Sequence, residues 1–82
     1  MGAVELRVKG LIEDIIRHDA SEIAITDNFE EDLEMDELDK IELFISVEAE
    51  FNLEEIPENA ICKIKTVKNL VDYIEQNKSN DE

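Results

Sequence analysis

The side chains in this sequence that are capable of chemistry are many in number and few in kind. There are twenty-three carboxylates, one histidine (His18), one cysteine (Cys62) and three serines, Ser21, Ser46 and Ser79. Acid–base catalysis needs a titratable group paired with an orienting partner, and a single histidine leaves little material for it. Both glycines lie before Leu11, so no phosphate-cradling or dinucleotide-binding glycine loop is present. His18 has no cysteine or second histidine at ligand spacing, which argues against metal binding and for a place at a helix end. Cys62 has no neighbouring His, Cys or base, and reads as a small packing residue. The carboxylates Asp27, Glu30, Glu31, Asp32, Glu34 and Asp36 invite comparison with a calcium loop, but the alternating ligands and turn glycine of that loop are missing. Loose cation attraction is all that this run supports. Neither an enzyme nor a dedicated metal site is expected.

The formal charge of −15 is regional rather than diffuse. From Asp27 to Glu58 there are fourteen acidic residues and one base, Lys40. Such a field repels nucleic acid and anionic membrane surfaces, whose recognition rests on Lys and Arg. It suits a basic protein surface, with salt-sensitive attraction, and it equally suits a solvated face that keeps a small domain soluble. With one cysteine no intramolecular disulfide exists, and no stretch is apolar enough for a signal-peptide core or a bilayer span. A monomer in the cytoplasm or a similar reducing compartment is expected.

Negative charge and apolar residues interleave most densely at one junction, Asp32-Leu33-Glu34-Met35-Asp36-Glu37-Leu38-Asp39-Lys40-Ile41-Glu42-Leu43, where polar loop gives way to helical periodicity. Asp36 is suited to an N-cap. Its carboxylate can accept the backbone N–H of Leu38 or Asp39, and Glu37 and Asp39 add negative charge at the positive end of the helix dipole. A helix over about Glu37 to Asn52 then carries two apolar stripes. Leu43, Val47 and Phe51 form one, and Leu38, Ile41, Ile45 and Ala49 form another on nearly the opposite side. One faces the core; the second either covers a neighbouring helix or lies exposed as a docking surface rimmed by Glu37, Glu42 and Glu48.

Around this junction the sequence supplies three further helices. Val4, Val8, Leu11, Ile12, Ile15 and Ile16 share one face of a first helix of about four turns, with Arg17 and His18 in its last turn. Residues 19–35 make a long loop whose Ile23, Ile25, Phe29, Leu33 and Met35 are available to pin it across the helix ends, and Ser21 or Asp27 is placed to start a single helical turn. Ile56-Pro57 gives an extended approach to a short third helix, Glu58 to Ile64, with Ala60, Ile61 and Ile64 inward. Thr66 caps a fourth helix bearing Val67, Leu70, Val71 and Ile74. Residues 1–77 form one small domain, and 78–82, without an apolar residue, form a frayed tail.

The junction resembles the acyl carrier protein signature Asp-Leu-Gly-x-Asp-Ser-Leu-Asp-x-x-Glu-Leu. The likeness continues through Glu48-Ala49-Glu50-Phe51, Glu55-Ile56-Pro57, Lys63-Ile64-Lys65-Thr66-Val67 and Val71-Asp72-Tyr73-Ile74. It implies an all-α four-helix bundle with a short third helix and a long first loop. In that family the serine after the second Asp carries 4'-phosphopantetheine, the arm that bears acyl groups as thioesters. That position is Glu37 here. Two lesser departures are Glu34 where Gly is commonest and one extra residue in Asn52-Leu53-Glu54.

The resemblance implies docking on basic patches of acyl-chain synthesis enzymes or of a phosphopantetheinyl transferase, through Asp36, Leu38, Ile41, Glu42 and Glu48. The expected function is a docking module of fatty-acid or related synthesis that cannot carry the arm as written. Ser46 lies about two and a half turns into its helix, and Ser21 and Ser79 lack the Asp-Ser-Leu context, so none substitutes. At a helix N-terminus Glu37 stands where a phosphate would be favoured, and it is also an ordinary first-turn Glu. Two alternatives stay open: a genuine carrier seen as a Ser-to-Glu variant, and a regulatory or scaffold protein using the acidic face without handling acyl groups.

Overall fold

The computed structural model describes residues 2–17 and 19–77. Helix α1 runs Ala3–Ile16, a single 3-10 turn spans Ala20–Glu22, α2 runs Glu37–Phe51, α3 is the six-residue Glu58–Lys63, and α4 runs Val67–Asn77. Helix α1 packs against both α2 and α4. Val4, Val8 and Ile12 are buried along α1, while Leu11, Ile15 and Ile16 pack partly buried against the same core. One cluster extends from Val4 through Leu43, Val47 and Leu70 to Ile74. Each large aliphatic or aromatic side chain in it contributes at most roughly 1.5–3 kcal/mol.

Helix α1 ends earlier than its sequence suggested. Ile16 is its last residue, and Arg17 follows in a left-handed conformation (φ 63°) with its N–H on the Glu13 carbonyl at 2.8 Å. Arg17 therefore caps the helix through its backbone instead of sitting in the last turn. The helix-end role read for His18 and the fraying read for 78–82 fall outside the described residues.

The long first loop is pinned as its apolar spacing requires, with Ile23, Phe29, Leu33 and Met35 buried and Ile25 packed against them. Its single helical turn includes Ser21, with Glu22 N–H on the Asp19 carbonyl at 2.8 Å. Asp27 starts no helical turn; its Oδ2 accepts the Ala24 N–H at 3.0 Å and closes a tight turn instead. Asn28 Oδ1 accepts from Glu30 N–H (2.9 Å) and Glu31 N–H (3.0 Å), and Asp32 Oδ2 returns the favour to Asn28 N–H at 2.7 Å. These short polar side chains satisfy backbone donors that neither helix nor sheet would reach. The loop is also laced to the start of α4 by Phe29 N–H to Lys65 O and Val67 N–H to Asp27 O, both 3.0 Å, forming an isolated antiparallel bridge between Asn28 and Thr66.

Helix α4 starts as expected. Thr66 Oγ1 accepts the Asn69 N–H (3.1 Å), while Asn69 Oδ1 accepts from Thr66 N–H (3.2 Å) and Lys65 N–H (3.0 Å). This reciprocal arrangement satisfies orphan donors at the helix start. Val67, Leu70, Val71 and Ile74 are buried.

Candidate functional site

The start of α2 is set by a reciprocal cap. Asp36 Oδ1 accepts the Asp39 N–H at 2.9 Å, and Asp39 Oδ2 accepts the Asp36 N–H at 3.3 Å. Buried Met35 (3% exposed) anchors the residue before the cap, with its N–H on the Phe29 carbonyl at 2.8 Å. Between the two buried anchors Leu33 and Met35 the chain turns through Glu34 in a left-handed conformation, φ 57°. That geometry suits glycine, which explains physically why a glycine is favoured at this point of the signature. Glu37 follows as the first residue of α2, exposed, at the end where unsatisfied N–H groups favour negative charge.

Helix α2 resolves the alternative left open by its periodicity. Leu43 and Val47 are buried and Phe51 is partly buried, whereas Leu38 is 74%, Ile45 59% and Ile41 46% exposed. Ala49 and Glu42 are exposed beside them. Leu38 and Ile45 thus face outward, while Ile41 edges the groove toward α3. Phe44, only 3% exposed, belonged to neither stripe in the sequence reading. It lies about 100° around the helix from Leu43, one step beyond Phe51, so a wider inward arc would have included it.

Phe44 forms part of a groove between α2 and α3 with a volume of about 870 Å³. Its inner wall includes Phe29, Ile56 and Ile64, and Glu37, Lys40 and Cys62 also line it. Cys62 is exposed, which corrects its reading as a packing residue. In a helix of six residues Ala60 and Ile61 turn inward and the next position turns out.

Two carboxylates have jobs that spacing did not reveal. Glu48 Oε2 accepts the Ile56 N–H at 2.9 Å in a partly buried setting, so it fastens the α2–α3 connection as well as edging the outer face. Glu30, on the long loop, pairs with the Lys40 ammonium. The hydrogen bond from Lys40, and then its charge, hold the Glu30 carboxyl below its ordinary value. Asp36, Leu38, Ile41 and Glu42 share the exposed first turns of α2, while Glu48 lies farther along it.

The residues around position 37 do not fit attachment of an arm through a hydroxyl. Ser46 is half-buried deep in α2, Ser21 is in the 3-10 turn, and Thr66 Oγ1 is spent on its cap. Ser79 is outside the described residues. Among the described residues no three His, Cys, Asp or Glu side chains converge on a point where a metal would bind. No helix among them is long and apolar enough to cross a membrane.

Comparison with known proteins gives the family and the fold. The family described as phosphopantetheine attachment site matches residues 6–74. The chain is 42% identical over 77 residues to an acyl carrier protein of Porphyromonas gingivalis, covering 94% of this chain and 97% of that one. It is 44% identical over 71 residues to an acyl carrier protein of Helicobacter hepaticus, covering 87% and 92%. Among solved structures, the apo doublet acyl carrier protein from prodigiosin biosynthesis superposes with a TM-score of 0.81 at 24% identity, over 94% of this chain and 37% of that one. The last likeness concerns the fold alone.

Proposed function

Since this chain belongs to the phosphopantetheine attachment site family and is of the acyl carrier protein kind, we propose that it serves acyl-chain synthesis as a docking module that does not itself carry the arm. Proteins of this kind are carriers rather than enzymes. The observation that carries the proposal is the outward stripe of Leu38, Ile41 and Ile45 at the acidic start of α2, with the Glu37 carboxylate at the attachment position. An apolar strip rimmed by charge of one sign fits an apolar patch rimmed by Lys and Arg on a partner enzyme. The partners proposed are acyl-chain synthesis enzymes and a phosphopantetheinyl transferase, met as a monomer in the cytoplasm. Asp36, Leu38, Ile41 and Glu42 make the contact, and Glu48 supports its far edge.

Attachment needs a hydroxyl whose oxygen ends in a stable phosphodiester. A carboxylate in its place gives a mixed anhydride that water cleaves, so Glu37 leaves the chain without 4'-phosphopantetheine. Intact mass after incubation with coenzyme A and a broad-specificity phosphopantetheinyl transferase tests this, with Glu37→Ser alongside. Gain of the arm by the variant alone is expected. Gain by the parent chain would overturn the reading of Glu37, and gain by neither would overturn the docking face.

A further inference from the structure

The one cation in the acidic segment is held away from the attachment position. Lys40 is three residues after Glu37 and four after Asp36, spacings at which a helical lysine ordinarily pairs with the acid on its own face. Its ammonium is bound instead to Glu30, ten residues back on the long loop. The Lys40 side chain is 24% exposed, its stem lying over the groove wall, while Glu30 is 64% exposed. The Glu37 carboxylate has no hydrogen-bond or ion-pair partner among the described residues. The loop is held in place to do this, since Phe29 beside Glu30 is buried and its N–H is tied to Lys65 O.

Building on the docking function proposed above, we infer that Glu30 is a positioning residue for the docking face. By claiming Lys40, it keeps the first turn of α2 uniformly anionic and so strengthens capture of a cationic partner. Without Glu30 the ammonium has Glu37 and Asp36 within reach along its own helix and neutralises part of the face that a basic partner must meet. Both members of the pair are at the surface, so its loss leaves the core untouched and changes where one positive charge sits.

The test is a double-mutant cycle on association with a broad-specificity phosphopantetheinyl transferase, by calorimetry at low salt, using the full chain, Glu30→Gln, Lys40→Gln and the double variant. Glu30→Gln is expected to weaken binding about three- to tenfold. Lys40→Gln in that background is expected to restore the parent affinity or better, a rescue that mere loosening of the loop would not give. If the parent binds and the effect of Glu30→Gln is the same with and without Lys40, this inference is overturned and the docking function stands. If no member of the cycle binds, the docking function falls, and this inference with it.

Discussion

Replacing Glu34 by glycine should stabilise the protein. Glu34 adopts φ 57°, is exposed, and its side chain makes no hydrogen bond or ion pair among the described residues. The turn cannot relax, because Leu33 and Met35 on either side are buried and their N–H groups are bound to the carbonyls of Asn28 (3.1 Å) and Phe29 (2.8 Å). Holding a residue with a Cβ in the left-handed region costs about 1–2 kcal/mol. Glycine removes that strain but gives the unfolded chain extra freedom, offsetting about 0.4–1 kcal/mol. The expected net gain is about 0.5–1 kcal/mol, or a rise in Tm of about 3–6 °C for a domain of this size. Thermal unfolding by circular dichroism reads it, with Glu34→Ala as the control that removes the same charge and keeps the Cβ. If Glu34→Gly is no more stable than Glu34→Ala, the left-handed strain assigned to this turn is wrong.

Other consequences follow from the same contacts. Glu48→Ala leaves the partly buried Ile56 N–H without its acceptor and is expected to destabilise by about 1–2 kcal/mol, with faster amide exchange at Ile56 as the specific sign. Leu38→Ser removes a side chain that is 74% exposed, so stability should stay within about 0.5 kcal/mol while affinity for a phosphopantetheinyl transferase falls; equal loss of fold and binding would contradict the outward stripe. Glu30, held below its ordinary value of 4.5 by Lys40, contributes stability above that pH and loses it as pH falls through its lower folded value. The stability difference between the parent and Glu30→Gln, followed by denaturant titration, should therefore be present at pH 7, shrink on acidification and be gone once Glu30 is protonated.

Much of this molecule is legible in one dimension because its determinants are local. A cap reaches three residues along the chain, so Asp36 and Thr66 mark the starts of α2 and α4 without knowledge of any neighbour. Helical period assigns Val4, Val8 and Ile12 to one buried face, and the spacing of Phe29, Leu33 and Met35 reveals a loop that packs down. The resemblance around Glu37 likewise rests on consecutive residues, so the proposal that Glu37 stands at the attachment position needs no coordinates. What the tertiary structure decided are the matters that depend on what comes near from far along the chain. Period alone leaves two faces of α2 equivalent, and only the packing of α2 against α1 and the shared core buries Leu43 while leaving Leu38 and Ile45 in water. Cys62 is turned outward one helical step beyond the inward Ile61, Glu48 is claimed by an amide eight residues away, and Lys40 is claimed by a loop acid ten residues away. Sequence determined which charges this protein carries and where its helices begin; the fold decided which of those charges remain free to meet a partner, because pairing depends on distance in space.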